Sequence, residues 1–390
     1  MIQAIVDSWG YTAGIAPGLW VTIAGTNMAG PPQTWNLKGL QQLPTTLGGV
    51  TVNFNDAPAA VFYVSATQIN ALVPASVAPG PMQVVVQVNG VNSSPFAIAA
   101  KATQPAAYAP PNADASTFFV TAALQGTTFL VGNSATDPRV VRAAYPGDVL
   151  DLYMLGLGAT TDPSKFVTDK AFSGAFPVSA KVTATVGGES APVLFAGLTS
   201  PGLYLVRISI PSDLAAGPQP IEVSAGGDHT RSSLVLMLGT APPNLIRNGS
   251  FELALTDTWT FSVDSGLGAA ATIQRTTSAN VDAGSSAQVS VTSAATNTVN
   301  VAAVQLEQAC FPLQQGQVYR LQFWAKADTA RTLRFDVAQN SAVSLGGNWQ
   351  PYVVYFQATA TDPAARLDFY FGDQTGNTWL DAVILEGTSP

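Results

Sequence analysis

Short runs in which apolar and polar side chains alternate recur along the chain, and a period of two marks a strand with one face in a core and the other away from it. From Tyr319 to Lys326 the apolar set is Tyr319, Leu321, Phe323 and Ala325, which leaves Arg320, Gln322, Trp324 and Lys326 on the other face. From Arg331 to Ala338 the inward set is Leu333, Phe335 and Val337, so Arg334 and Asp336 face outward. From Arg366 to Gly372 Leu367, Phe369 and Phe371 point in, and Asp368 and Tyr370 point out. Between these, Pro351 to Gln357 reads with Tyr352, Val354 and Phe356 inward and Tyr355 outward, although its many apolar residues allow the opposite parity. Taken together, the outward residues Trp324, Tyr355 and Tyr370, with Arg320, Gln322, Arg334, Asp336 and Asp368, predict one mixed aromatic and polar sheet face.

The first 240 residues repeat a different pattern. Ala16-Pro17-Gly18 followed by Trp20-Val21-Thr22-Ile23 recurs as Tyr145-Pro146-Gly147 followed by Val149-Leu150-Asp151-Leu152. Val50-Thr51-Val52 recurs as Val182-Thr183-Ala184, and Val73-Pro74 with its following strand as Ile210-Pro211. Two copies of about 100 residues, made of short strands with Pro-Gly and Gly-Gly turns, have the size and punctuation of immunoglobulin-like sandwiches. The boundaries that follow are 1–102 for the first copy, a Pro/Ala-rich linker at 103–114, 115–241 for the second copy, and 244–387 for a last domain that starts after Pro242-Pro243. The fold class expected is all-β, two immunoglobulin-like sandwiches and a terminal sandwich.

Composition narrows the function. In 390 residues, 10% are charged, 47% are apolar, and 34 Gly and 27 Pro serve the many turns. A net charge of −8 with scattered Lys and Arg provides no field for nucleic acid. One cysteine, Cys310, rules out an internal disulfide, and its apolar neighbours place it in a core. The one histidine, His229, lies in a Gly-Gly-Asp-His-Thr turn and reads as a solvated turn residue rather than a member of a Ser-His-Asp triad, and no carboxylate pair stands out for glycoside hydrolysis. The expectation is therefore no enzyme. No apolar run approaches the ~20 residues of a membrane span. Met1 leads straight into folded-looking sequence without the basic and apolar regions of a signal peptide, and a signal and further modules are expected upstream.

Two resemblances sharpen this. Gly14-Ile15-Ala16-Pro17-Gly18, Val21 to Asn27, Leu43 to Val50 and Ser65 to Asn70 resemble the IPT/TIG-type immunoglobulin-like domains found as tandem copies in secreted modular proteins of soil bacteria, where they act as spacers or platforms. Asn244 to Glu252 at one end and Trp379 to Leu385 at the other resemble the carbohydrate-binding modules of families 4, 9 and 22, a jelly-roll fold. That likeness implies that the opening and closing strands meet and that a structural calcium is held there by Glu252 and Asp381. A carbonyl of Gly249 and the carboxylate of Asp282 would complete a shell of hard oxygens; Ala382 stands where the family often has a second acid. The outward face described above then becomes the ligand face, because sugars need aromatic rings for their CH faces and two-way hydrogen-bond partners for their hydroxyls. Trp259 and Trp379 beside the metal phrases are read as packing residues, and Trp349 in its turn as either.

The functional expectation is non-catalytic binding of a plant-type or microbial polysaccharide of the β-glucan, xylan or cellulose class. The setting expected is extracellular, secreted or at the cell surface, alongside a catalytic domain elsewhere in the full-length protein. The competing reading is a structural or adhesive cell-surface segment in which the aromatics are covered by a neighbour.

Overall fold

The computed structural model describes residues 1–35, 41–110, 116–240, 242–281, 284–296 and 301–387. Strands dominate; among the described residues helical structure is limited to single 3₁₀ turns such as Leu255–Asp257 and Ser265–Leu267. Two compact units result, Met1–Thr240 and Ala241–Pro390.

The first unit contains both repeats. In the first copy one sheet orders Ile2–Asp7, Trp20–Gly25, Gln68–Leu72, Ala60–Val64 and Gln33–Thr34, and it packs over a second sheet centred on Val50–Phe54 and Gly80–Val88. The second copy repeats the plan with Val149–Leu155, Leu203–Ser209 and Val193–Ser200 in one sheet and Val182–Val186, Gly217–Ala225 and Leu234–Leu238 in the other. The connection between copies is extended, as its prolines require. It is not a spacer, however. Thr103, Gln104, Ala106, Ala107 and Ala109 are buried, and Ala106–Ala107 pairs antiparallel with Met154 and Leu155 of the second copy. Thr103 Oγ1 donates to the Ala225 carbonyl (2.8 Å) and Gln104 Nε2 to the Thr12 carbonyl (3.1 Å), so the segment is held by both copies. Backbone amide and carbonyl groups must find partners when buried, and here the two copies supply them. Residues 111–114 of the expected linker lie outside the described residues.

Among its described residues the second unit is a sandwich of ten strands: β1 Thr260–Val263, β2 Ala270–Thr276, β3 Ser286–Ser293, β4 Val304–Leu313, β5 Val318–Ala327, β6 Arg331–Asp336, β7 Asn340–Leu345, β8 Gln350–Gln357, β9 Asp362–Tyr370 and β10 Gly376–Gly387. One sheet has the order β1-β4-β9-β6-β7 and the other β2-β3-β10-β5-β8, all antiparallel. The alternation read from sequence is realised. Leu321, Phe323, Leu333, Phe335, Phe356, Leu367, Phe369 and Phe371 join one core between the sheets, with Tyr352 and Val354 packed against it. Each fully buried side chain of this kind contributes roughly 1.5–3 kcal/mol.

The chain ends of the unit meet as expected. Leu245 N–H donates to the Leu385 carbonyl (2.7 Å), Leu385 N–H to Asn244 Oδ1 (2.8 Å), and Val383 N–H to the Gly249 carbonyl (3.0 Å). A Cβ at Gly249 would come within 2.0 Å of the Val383 carbonyl oxygen, which requires glycine there.

Cys310 is a correction. It is exposed, because β4 bulges between Ala309 and Phe311 and Cys310 takes a left-handed φ of 68°. The bulge returns Phe311 to the core and turns the thiol away from it. Apolar neighbours in sequence could not reveal a break in the alternation.

Candidate functional site

The predicted single ligand face is two faces. β5 and β8 belong to one sheet and β6 and β9 to the other, so Arg320, Gln322, Trp324 and Tyr355 lie on one outer surface of the sandwich, and Arg334, Asp336, Asp368 and Tyr370 on the opposite one. Parity assigns a side chain to the core or away from it, but both outer faces of a sandwich satisfy the same parity.

On the β1-β4-β9-β6-β7 sheet, antiparallel register aligns outward residues in rows that cross the strands. Thr260 pairs with Glu307, Glu307 with Asp368, Asp368 with Asp336, and Asp336 with Asn340. The adjacent row is Ser262, Gln305, Tyr370, Arg334 and Ala342. Five strands spaced ~4.8 Å apart give each row a length of about 19 Å. Asp368 is 2% exposed and is the hub. Its Oδ1 accepts from Gln305 Nε2 at 2.6 Å, and its Oδ2 accepts from Arg366 Nε at 3.0 Å and from the Tyr370 hydroxyl at 3.5 Å. Gln305 Nε2 also reaches Glu307 Oε2 (3.2 Å), and Arg366 Nη1 stands 3.7 Å from the same carboxylate. Burial pushes the Tyr370 phenol up to about 12, with Asp368 and Asp336 adding to the shift, so its O–H remains a donor. Burial, then the neighbouring Asp368 charge, also raises the Asp336 carboxyl above the ordinary aspartate value. Beside the Asp336–Asp368 pair, in the middle of the first row, lies a cavity of about 340 Å³ whose lining also includes Asp362 and Arg366.

The opposite face is built differently. Arg320, 6% exposed, is spent on Glu386 through Nη2 at 2.5 Å, and Tyr355 is only 5% exposed. These two cannot serve an open ligand surface. Toward the other end of β5, Lys326 Nζ lies 4.9 Å from the Trp379 ring centre and 5.2 Å from that of Trp349. Ser290 Oγ donates to Asn377 Oδ1 (2.6 Å), and Asn377 Nδ2 to Asp328 Oδ2 (2.9 Å). Trp379 is thus a partly exposed outer-face residue rather than a core one, whereas Trp259 is buried, donates Nε1–H to the Asn248 carbonyl (3.1 Å) and lies beside Phe251.

Comparison with known proteins follows this division. The family model described as a carbohydrate binding domain, of the family 4 and 9 type, matches residues 243–375, and that described as an IPT/TIG domain matches residues 2–99. The chain joins an IPT/TIG domain to a carbohydrate binding domain. Among solved structures, the chain is similar to a CBM4 structure (20% identity, 37% of this chain and 99% of that one, TM-score 0.31). It is also similar to the CBM22-1 xylan-binding domain of Paenibacillus barcinonensis Xyn10C (13% identity, 39% and 99%, TM-score 0.30). A third likeness is to a family 11 carbohydrate-binding module of Clostridium thermocellum in complex with a β-1,3-1,4-mixed-linked tetrasaccharide (15% identity, 35% and 91%, TM-score 0.25). No curated protein matches the chain significantly. Both domains are of non-catalytic kinds.

Within the carbohydrate binding domain, Glu252 and Asp381 both hold backbone amides between β2 and β3. Glu252 Oε1 accepts the amides of Gly284 (2.9 Å) and Ser285 (2.7 Å), and Asp381 Oδ2 accepts that of Val281 (2.7 Å) while Oδ1 accepts that of Ala382 (2.7 Å). Asp381 is fully buried, and Ala382 beside it has a φ of 49°, a kink within β10. The oxygens are of the kind calcium takes, yet those of Asp381, Glu252 Oε1 and the Gly249 carbonyl already accept amide N–H groups. Among the described residues no group of three or more His, Cys, Asp or Glu side chains is placed to hold a metal ion. Asp282, the fourth residue expected in the shell, lies outside the described residues.

The sequence missed Gln305, Glu307 and Arg366. Gln305 and Glu307 do alternate with buried Val304 and Leu306 in β4, which is the signal that could have found them.

Proposed function

We propose that the carbohydrate binding domain holds an extended neutral polysaccharide across the β1-β4-β9-β6-β7 sheet, with the chain lying along the two polar rows. The observation that carries this is the alignment of Gln305, Tyr370 and Arg334 beside Glu307, Asp368 and Asp336 on adjacent strands. One ring and several planar hydrogen-bonding groups thereby share a surface that continues into a cavity. Tyr370 would stack on a sugar ring, while Arg334, Asp336, Gln305 and Arg366 would meet hydroxyls; Asp368, buried and saturated, fixes the others in place. The ligand class is β-glucan, xylan or cellulose. The role is non-catalytic, in a secreted or cell-surface protein, with the immunoglobulin-like unit as its platform and a catalytic domain elsewhere as a suitable companion. Calcium belongs to the same proposal as a brace between the two ends of the domain, held by Glu252 and Asp381.

Affinity electrophoresis on xylan, mixed-linkage β-glucan and hydroxyethylcellulose tests the assignment. Retardation on at least one polymer, lost in Tyr370→Ala and kept in Trp324→Ala, is expected. Loss only in Trp324→Ala would move binding to the other face, and release of reducing sugar by the pure protein would end the non-catalytic reading.

A further inference from the structure

The first unit contains a cavity of about 300 Å³ between the two immunoglobulin-like copies, lined by four aromatic rings, Trp9, Trp20, Trp35 and Phe62. Leu155, Pro201 and Leu203 of the second copy close it. Trp20 joins the two halves, since its Nε1–H donates to the Pro201 carbonyl at 3.0 Å. Trp35 Nε1–H donates to the Val61 carbonyl at 2.5 Å. Both indole donors are therefore satisfied by backbone, and what these two side chains retain for a guest is their π surface. Trp9 is braced from outside by Tyr108, ring centres 5.2 Å apart.

The ring orientations decide what shape of guest fits. Phe62 stands nearly perpendicular to both of its neighbours, at 71° to Trp20 (6.0 Å) and 86° to Trp35 (5.0 Å). A flat aromatic guest calls for parallel walls, whereas walls at right angles surround a compact, rounded group. The polar lining is confined to Ser8, Asn70 and Ser200, of which Ser8 pairs with Thr22 (3.2 Å) and the Asn70 carboxamide oxygen already accepts from Gln68 (2.7 Å). That is too few free partners for a sugar's hydroxyls, unlike the rows of the carbohydrate binding domain. No charged residue lines the cavity, and among the described residues no Lys or Arg sits over these four rings.

Aromatic faces are electron-rich, and they attract cations whose hydration is weak enough to surrender. A quaternary ammonium is compact, rounded, poorly hydrated and positive, and it would approach a chain whose net charge is −8. We infer that this cavity binds a quaternary ammonium group, with Trp9, Trp20, Trp35 and Phe62 as its cage and the contact between the two copies as the condition for its existence.

Calorimetric titration of the full chain compares choline and tetramethylammonium with 3,3-dimethyl-1-butanol, which keeps the shape of choline but carries no charge. The cations are expected to bind, with the neutral isostere at least tenfold weaker. Trp35→Leu is expected to reduce choline affinity at least tenfold while the variant still unfolds in a cooperative melting transition, and Phe62→Leu provides the same reading should Trp35→Leu not fold. Equal binding of the isostere, or no choline binding by the folded protein, would overturn the inference.

Discussion

Asp336 and Asp368 occupy directly opposed positions on the neighbouring strands β6 and β9, and Asp336 titrates above the ordinary aspartate range through burial and then through the Asp368 charge. A raised carboxyl pKa means that the folded protein resists ionisation of Asp336 more than the unfolded chain does. The resulting penalty is absent below the unfolded pKa, grows as pH rises through the ordinary carboxylate range and is complete above the folded value. Asp336→Asn is therefore expected to raise the melting temperature of the second unit at pH 7, by roughly 1–3 °C after allowance for solvent screening, and to change nothing at pH 3. Differential scanning calorimetry at the two pH values measures this; an equal gain at both would mean that charge is not the cause.

Tyr370 offers its ring and its hydroxyl to different ends. If stacking dominates, Tyr370→Phe retains most of the polysaccharide affinity while Tyr370→Ala loses about tenfold, the order expected for one aromatic contact. Depletion binding isotherms on the retarding polymer would separate the two. Equal losses in both variants would point to the hydroxyl instead.

Asp381 is buried and holds two amides, that of Val281 and that of Ala382 within β10. Asp381→Ala leaves those donors without a partner and is expected to destabilise the unit by roughly 2–4 kcal/mol, measured by urea unfolding. Where calcium also bridges Glu252 and Asp381, EDTA lowers the melting temperature of the unaltered protein and added calcium restores it. Indifference to both would leave the two carboxylates as hydrogen-bond clamps alone.

In the second immunoglobulin-like copy, Arg142 Nη1 and Nη2 meet the two oxygens of the fully buried Asp148 at 2.6 and 3.0 Å, and Tyr145 N–H adds a third bond at 2.7 Å. The guanidinium also lies 4.1 Å from the Tyr145 ring centre. Removing one partner of such a pair strands a buried charge, so Arg142→Ala is expected to cost about 3–5 kcal/mol. The double variant Arg142→Leu with Asp148→Asn should recover a large part of that loss. Chemical denaturation of both reads the difference.

The all-β character, the repeat and the inward sets around Phe323, Phe335 and Phe369 were legible in the sequence, since period-two alternation and turn residues are local signals. The grouping of Trp324 with Tyr370 was not. Each strand declares which of its sides is apolar, but the sheet it joins is decided by hydrogen bonding between segments distant in sequence, as when β5 pairs with β8 and β10 rather than with β6. Burial of Arg320, Tyr355 and Asp368 on outer faces escaped notice for a similar reason: a polar side chain can point away from the core and still be enclosed by ion-paired neighbours. The row through Gln305 and Glu307 required register, which no single strand contains.

The segment at residues 103–109 has a practical meaning for anyone dissecting this protein. A cut placed directly after the first repeat would leave the Gln104 side chain without its Thr12 acceptor, and one placed beyond residue 109 would take the strand Ala106–Ala107 from the second copy. Either fragment would expose alanine-rich surface and unpaired backbone, an invitation to aggregate. The two repeats should be made, purified and melted as one piece ending near Thr240, and a stable first repeat produced alone would show that its neighbour is dispensable.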